Sequence, residues 1–260
     1  MHLPDAIERV RPSVVQVLAR GVDGATSVMG TGYIVHASGF VLTAKHVTIA
    51  ARSVAGLDGQ VLAGLAMPEL SGPMTIRSSF ELLNADVVEE DPRHDLALIR
   101  LVPNPFTSGK PSGTFRDAEG NVGINGLYGL APLSLRPIRD GESVAVSGYP
   151  SVTPAFVTTH GVVATATEVD LAEVHPEGSP EGWSFPDAQD SYLLDVAVNP
   201  GNSGGPVYLY SADVIGTCVA FHVGTASSTQ GSPFSYNSGL AVAVPIKYGV
   251  ELLSHHADIN

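Results

Sequence analysis

Cysteine is almost absent from this chain, because only Cys218 among its 260 residues carries a thiol. One cysteine cannot close an intramolecular disulfide, so the fold must be stabilised by packing alone. Charge is also sparse: charged residues make up 15% of the chain, and 13 Lys plus Arg face 26 Asp plus Glu. The formal net charge of -13 excludes a protein that follows phosphate backbones, and no nucleic-acid partner is expected.

Long apolar runs are missing too, since none approaches the roughly 20 residues that span a bilayer. No membrane partner is therefore expected. The segment Met1-His-Leu-Pro-Asp5 lacks the basic start of a secretory signal, which predicts a cytoplasmic protein. The chain has no H-E-x-x-H motif, no Cys/His cluster and no phosphate-binding glycine loop, so neither a metal nor another cofactor is indicated.

Glycine and proline are abundant, with 28 and 19 residues, and 44% of the chain is hydrophobic. This composition favours many short strands joined by turns. We expect an all-β protein with a first β-rich unit over 1–115, a linker with an insertion over 116–140 and a second β-rich unit over 141–260. A second insertion is expected over 173–190.

Two local predictions concern less regular parts of the chain. Residues 53–57 are predicted as a strand. Residues 156–170 are predicted as a pair of strands that turn near His160-Gly161.

The stretch Asn199-Pro-Gly-Asn-Ser-Gly-Gly-Pro206 places Ser203 among three glycines. Glycines let main-chain N–H groups converge in front of a hydroxyl, so Ser203 is a candidate nucleophile. The stretch also satisfies the G-x-S-x-G pattern of α/β-hydrolases, which requires a helix directly after the serine. Here Pro206 is followed by Val207-Tyr-Leu-Tyr210, which is typical of a strand, so the hydrolase interpretation is weak.

A base and an acid lie upstream, in the order His46, Asp95, Ser203. That order is one of the known orders of catalytic triads. The motifs around these residues resemble those of trypsin-like serine peptidases, and most of all the HtrA/Deg branch. They are Gly30-Thr-Gly32, Val41-Leu-Thr-Ala-Lys-His-Val47, His94-Asp-Leu-Ala-Leu98 and Gly201-Asn-Ser-Gly-Gly-Pro206.

The resemblance implies two six-stranded antiparallel β-barrels with short terminal helices and an active site between the barrels. It implies that His46 is the general base, that Asp95 orients its imidazole and that Ser203 is the nucleophile. The N–H groups of Gly201 and Ser203 would form the oxyanion hole. The other histidines, His94 among them, are expected to be ordinary half-buried residues.

The primary specificity pocket implied by the resemblance is small and apolar. Its walls would come from Ala197 and Val198, from Cys218, Val219 and Ala220, and from Gly239, Leu240 and Ala241. We expect cleavage after small or medium aliphatic residues. His222 lies near the pocket strand and leaves an acidic P1 group as the lesser alternative.

Three functions remain open at this stage. The first is a serine endopeptidase with a protein or peptide substrate. The second is a catalytically idle trypsin-like module that binds peptides or partners, and the third is an esterase that uses the same serine. Unlike the HtrA/Deg branch, the sequence shows no PDZ domain after the protease unit, and its oligomeric state is left open.

Overall fold

The structure is a computed structural model that describes residues 1–57, 59–70, 76–107, 115–116, 122–123, 128–151, 153, 155–169, 190–227 and 233–258. The second predicted insertion therefore lies outside the described residues, except for Asp190. Residues 117–121 and 124–127 of the predicted linker likewise lie outside the described residues.

Three helices and fourteen strands are described. The helices are α1 (Leu3–Val10), α2 (Lys45–Ala55) and α3 (Ile246–Ser254), and a 3-10 turn covers Arg11–Ser13. The strands before the second barrel are β1 (Val14–Arg20), β2 (Thr26–His36), β3 (Phe40–Ala44), β4 (Gln60–Leu70), β5 (Ile76–Asp91), β6 (Leu96–Val102), β7 (Phe115–Arg116) and β8 (Val122–Gly123). The later strands are β9 (Ser143–Gly148), β10 (Val157–Val169), β11 (Ser191–Asp195), β12 (Pro206–Leu209), β13 (Val214–Ser227) and β14 (Pro233–Pro245).

The strands close two antiparallel barrels, in the orders β1-β2-β3-β6-β5-β4 and β10-β11-β14-β13-β12-β9. This confirms the prediction of two six-stranded barrels. Closure leaves no unpaired sheet edge in either barrel. In the first barrel, β1 is buried on both faces, because Ala51 and Ala55 of α2 pack against Ala19 on its outer face.

The predicted strand over 53–57 is wrong, because α2 continues to Ala55 and ends at Gly56 with φ +67°. The buried residues Val47, Ala51 and Ala55 recur every four positions, which is a helical period. The β-branched Val54 lies on the exposed side of the helix.

The predicted strand pair over 156–170 is also wrong, because β10 runs through His160-Gly161 without turning. It pairs first with β9 and then with β11. Gly161 marks a close approach between strands rather than a turn, since a Cβ there would lie 1.8 Å from the carbonyl oxygen of Asp195.

The barrels are joined by buried contacts. The hydroxyls of Tyr33 in β2 and Thr217 in β13 share a hydrogen bond of 2.7 Å, and Tyr33 is fully buried. Helix α3 contacts β13 and β14 of the second barrel and also β6 of the first. Gly249 lies so close to Leu42 of the first barrel that a Cβ would meet its side chain at 2.4 Å. Of the helices in the described part of the chain, none has the length and apolar character to cross a membrane.

Candidate active site

Asp95 holds the start of α2, where His46 is the second residue. The first N–H groups of a helix have no partner within the helix, and a carboxylate suits that position. The N–H of Lys45 donates to the Asp95 carbonyl at 2.9 Å, and the N–H of His46 donates to Asp95 Oδ1 at 2.9 Å. The other carboxylate oxygen, Oδ2, lies 2.6 Å from His46 Nδ1.

This double contact fixes the imidazole with Nδ1 toward the acid. Asp95 is buried at 8% exposure, while the His46 side chain remains 38% exposed. The arrangement is what a general base requires, because the acid holds one ring nitrogen and leaves the other for the substrate side.

The serine loop packs against the strand end that leads into α2. A Cβ at Gly204 would lie 2.1 Å from the carbonyl oxygen of Thr31 and 2.9 Å from the main-chain nitrogen of Ala44. A Cβ at Gly30 would meet both Val47, at 2.6 Å, and the carbonyl oxygen of Ser203, at 2.9 Å. The nucleophile candidate is therefore adjacent to the segment that carries His46.

Thr31 in β2 is the residue of the first barrel that holds this loop. Its N–H donates to the carbonyl of Ser203 at 2.9 Å, and its hydroxyl donates to the carbonyl of Gly201 at 2.7 Å. The same hydroxyl accepts the N–H of Tyr149 at 2.9 Å, and Thr43 donates to the Thr31 carbonyl at 2.6 Å. Thr31 is fully buried, so water does not compete for these bonds.

Hydrogen bonds to the preceding carbonyl groups orient the N–H groups of the two predicted oxyanion donors, Gly201 and Ser203. The N–H of Ser151 donates to the Pro200 carbonyl at 2.7 Å, and the N–H of Gly205 donates to the Asn202 carbonyl at 2.9 Å. In a trans peptide the C=O and N–H point in opposite directions, so the N–H groups of Gly201 and Ser203 point away from these partners. Neither N–H donates a hydrogen bond to any group in the described ranges.

Among the described residues, the hydroxyl of Ser203 is hydrogen-bonded to Val219 and not to His46. Its Oγ donates to the carbonyl of Val219 in β13 at 3.5 Å, and among the described residues it makes no hydrogen bond to His46. In substrate-free enzymes the nucleophile and its base are often not yet aligned, and rotation about one side-chain bond moves the hydroxyl. The roles assigned to His46, Asp95 and Ser203 thus stay predictions supported by position.

The three predicted pocket segments are neighbours in the second barrel, because β14 lies between β11 and β13. Leu240 pairs with Asp195, just before Ala197, and Ala241 pairs with Phe221, just after Ala220. Leu240 is 37% exposed and Gly239 has φ +83°. The remaining predicted wall residues are buried, apart from the exposed Ala197; they are Val198, Cys218, Val219, Ala220 and Ala241.

Burial raises the pKa of the Cys218 thiol to about 12, so this residue is not a second nucleophile. His222 uses Nδ1 to contact the hydroxyl of Ser238 at 2.8 Å. In the described part of the chain, no group of three or more His, Cys, Asp or Glu side chains is arranged to hold a metal ion.

Three supporting residues were not assigned a role from the sequence. Thr31 and Ser151 hold the serine loop, and Asn237 donates its side-chain amide to the carbonyl of Val198 in the predicted pocket wall. Thr31 lies in the motif Gly30-Thr-Gly32, which was one available signal. Ser151 lies in a turn and Asn237 lies in β14, and the partners of both are set only by the folded register.

The expectation for His94 is wrong, because this residue is buried at 7% exposure rather than half-buried. Its ring stacks on that of Tyr248.

Two closed barrels with an Asp-His pair beside a glycine-rich serine loop define the trypsin-like class, and residues 30–216 match the family model described as trypsin-like peptidase domain. The chain belongs to that family. The resemblance inferred from the motifs is thereby confirmed.

Several serine proteases are similar to the chain. Serine protease PepD of Mycobacterium tuberculosis is 28% identical over 249 residues, covering 94% of this chain and 44% of that protein. A protein of Ectopseudomonas mendocina named "Probable periplasmic serine endoprotease DegP-like" is 27% identical over 228 residues, covering 86% of this chain and 34% of that protein. The chain thus spans less than half the length of these curated relatives.

A solved structure of the HtrA-type protease AlgW with a decapeptide has the same fold. It superposes with a TM-score of 0.60 at 21% sequence identity, covering 98% of this chain and 67% of that one.

Proposed function

We propose that this chain is a serine endopeptidase that cleaves peptide bonds through an acyl-enzyme. The observation that carries the proposal is the Asp95–His46 pair, 2.6 Å apart, next to a serine loop whose two predicted oxyanion donors have no hydrogen-bond partner among the described residues. Family membership supports the same class of chemistry.

The first chemical step begins when Ser203 rotates from the Val219 carbonyl toward the free ring nitrogen of His46. His46 takes the hydroxyl proton while Oγ bonds to the substrate carbonyl carbon. The carbonyl oxygen becomes an oxyanion that accepts from the N–H groups of Gly201 and Ser203. Asp95 stabilises the imidazolium that forms.

The tetrahedral intermediate then collapses. The C–N bond breaks, His46 gives its proton to the leaving amine, and an ester to Ser203 remains. A water molecule repeats the sequence, with His46 as base, and releases the acid product and the free serine.

The substrate is proposed to be a protein or peptide, which is consistent with the decapeptide named in the AlgW structure. We propose a preference for small or medium aliphatic P1 residues, because the predicted walls carry no charged side chain. Profiling with a peptide library tests this. Preferred cleavage after Arg or Lys would refute it, and preferred cleavage after Glu would point instead to His222. A cytoplasmic location likewise stays a prediction.

One observation favours the idle-module alternative, namely the hydrogen bond of Ser203 to Val219 instead of His46. A fluorophosphonate probe distinguishes the alternatives, because it reacts only with an activated serine. We expect stoichiometric labelling that is lost in Ser203→Ala, together with cleavage of casein. No labelling and no cleavage would refute the proposal, and labelling with hydrolysis of simple esters alone would indicate an esterase.

A further inference from the structure

Asp95 has an unusual main-chain conformation for an acid that must be held accurately. Its φ is +54°, a left-handed value that is uncommon outside glycine, although Asp and Asn adopt it more readily than other residues. Such conformations are strained and persist only where the surrounding contacts impose them. The contacts on the preceding turn are therefore relevant to the position of the acid.

That turn is closed by Asp91, whose carboxylate accepts the N–H groups of Arg93 at 2.9 Å and His94 at 3.3 Å. The second carboxylate oxygen lies 2.6 Å from Nδ1 of His94. The Asp91 carboxylate thus fixes both the main chain and the imidazole ring of His94, the residue next to Asp95.

The other side of His94 faces elements from the second half of the chain. Its ring stacks on Tyr248 of α3, with 3.6 Å between ring centroids and 15° between planes. The Tyr248 hydroxyl donates to Asp190 Oδ2 at 2.8 Å. Nζ of Lys247 lies over the Tyr248 ring, 4.7 Å from its centroid. Asp190 directly precedes β11, the strand that leads toward Ser203.

The Nε2 atom of His94 is the unexplained group in this cluster. It is buried and has no hydrogen-bond partner among the described residues, and Asp190 Oδ2 is 3.9 Å away. That distance is too long for a hydrogen bond, although it lies within ion-pair range. Arg93 Nη2 also lies 3.9 Å from Asp190 Oδ2. A phenylalanine could make the same stack without burying an unpaired nitrogen, so stacking alone does not account for the histidine.

We propose that His94 is a positioning residue for the catalytic acid: with Tyr248 and Asp190 it forms a clasp that ties the Asp95 turn to the second barrel and keeps the carboxylate on His46. The inference rests on the proposed function, since it assigns the acid role to Asp95. It makes His94 part of the active-site support although it touches neither substrate nor Ser203.

The test uses His94→Phe, which keeps the aromatic stack and removes both nitrogens, and Asp190→Asn and Tyr248→Phe, which leave His94 in place. The control is His160→Phe, because His160 is exposed and its ring contacts Tyr210, away from the clasp. Each protein is measured for kcat per fluorophosphonate-labelled site, for KM, for the pH profile of kcat/KM and for thermal stability.

We expect His94→Phe to lower kcat per labelled site by roughly 10- to 100-fold, because small misplacements of catalytic groups have effects of this order. KM should stay within about threefold, and the acid limb of the pH profile should move to lower pH, since a displaced Asp95 stabilises the imidazolium less. Asp190→Asn and Tyr248→Phe should each lower kcat by at least about threefold by the same mechanism. His160→Phe should match the wild type.

A residue that only stabilised the fold would change the melting temperature and the labelled fraction but not kcat per labelled site. If all three clasp variants retain that kcat within about twofold, the proposal is overturned. If kcat per labelled site falls only in His94→Phe, the proposed link from the Asp95 turn to the second barrel through Tyr248 and Asp190 is overturned. If His94→Phe does not fold, the other two variants decide the question by the same criterion. A wild type that is neither labelled nor active would instead refute the peptidase proposal, and the clasp with it.

Discussion

Replacing Thr31 by valine removes a single buried hydroxyl while it keeps the shape of the side chain. That hydroxyl donates to the Gly201 carbonyl at 2.7 Å and accepts the Tyr149 N–H at 2.9 Å. In the variant, both main-chain groups lose a partner in a region that water does not reach. A buried polar group left unpaired costs roughly 1–3 kcal/mol, so the free energy of unfolding should fall by about 2–6 kcal/mol.

The same change should lower turnover. Loss of one oxyanion donor typically costs about 10²–10³ in rate. In Thr31→Val the Gly201 donor is displaced rather than removed, because Ser151 still holds the Pro200 carbonyl. We therefore expect kcat to fall by about 10- to 100-fold, which corresponds to about 1.4–2.7 kcal/mol of transition-state stabilisation.

The assay measures kcat per fluorophosphonate-labelled site together with urea unfolding. Thr31→Ser is expected to retain activity, since it keeps the hydroxyl. Thr217→Val is the matched control, because Thr217 is also fully buried and its hydroxyl also joins the two barrels, through Tyr33. It should lose stability without losing kcat. The reasoning is refuted if Thr31→Val keeps kcat within twofold, or if Thr217→Val loses as much.

Three further outcomes are expected. Gly201→Ala should abolish activity and give little folded protein, because its φ is +97° and a Cβ would lie 2.5 Å from a main-chain nitrogen; soluble protein with wild-type kcat would contradict this. The Arg136 hydrogen bond holds the pKa of Glu142 below its ordinary value, against the opposing effect of burial. The Glu142 carboxylate then stabilises the fold above about pH 4.3, and this contribution disappears as pH falls through the lower folded-state pKa. Glu142→Gln should accordingly have a lower melting temperature than the wild type at pH 7 and the same melting temperature at pH 2, as followed by circular dichroism. An equal difference at both pH values would exclude this linkage. Cys218, with its pKa raised to about 12, should react with a thiol reagent at pH 8 only after unfolding, and the reagent should leave activity intact; rapid loss of activity would show that the thiol is accessible.

The sequence is most informative where several motifs occur together. The order of short motifs assigns His46 and Asp95, and the structure places them 2.6 Å apart. The paired barrels are implied by the family resemblance that the same motifs carry. The pair is predictable because each of its residues lies in a short contiguous motif.

Features that depend on contacts between distant segments were not predictable. The hydroxyl of Thr31 bonds a carbonyl 170 positions along the chain, and no local pattern indicates that pairing. The sequence predicts a turn at Gly161, although the small size of this residue is required by the carbonyl of Asp195. It predicts a half-buried His94, because nothing near this residue in the sequence reveals that Tyr248 covers its ring.

The serine loop shows how glycines that suggest mobility can serve a fixed geometry. A Cβ at Gly204 would lie 2.1 Å from the Thr31 carbonyl oxygen, and one at Gly205 would lie 2.4 Å from that of Ser147. The glycines are therefore required by close packing, and hydrogen bonds from Thr31 and Ser151 then fix the peptide planes that they leave open. Since Thr31 belongs to the first barrel and the loop to the second, docking of the barrels itself orients the two N–H groups proposed as oxyanion donors. In the proposed clasp, His94 connects Asp95 to the second barrel in the opposite direction, so each barrel would position a proposed catalytic group that the other one carries.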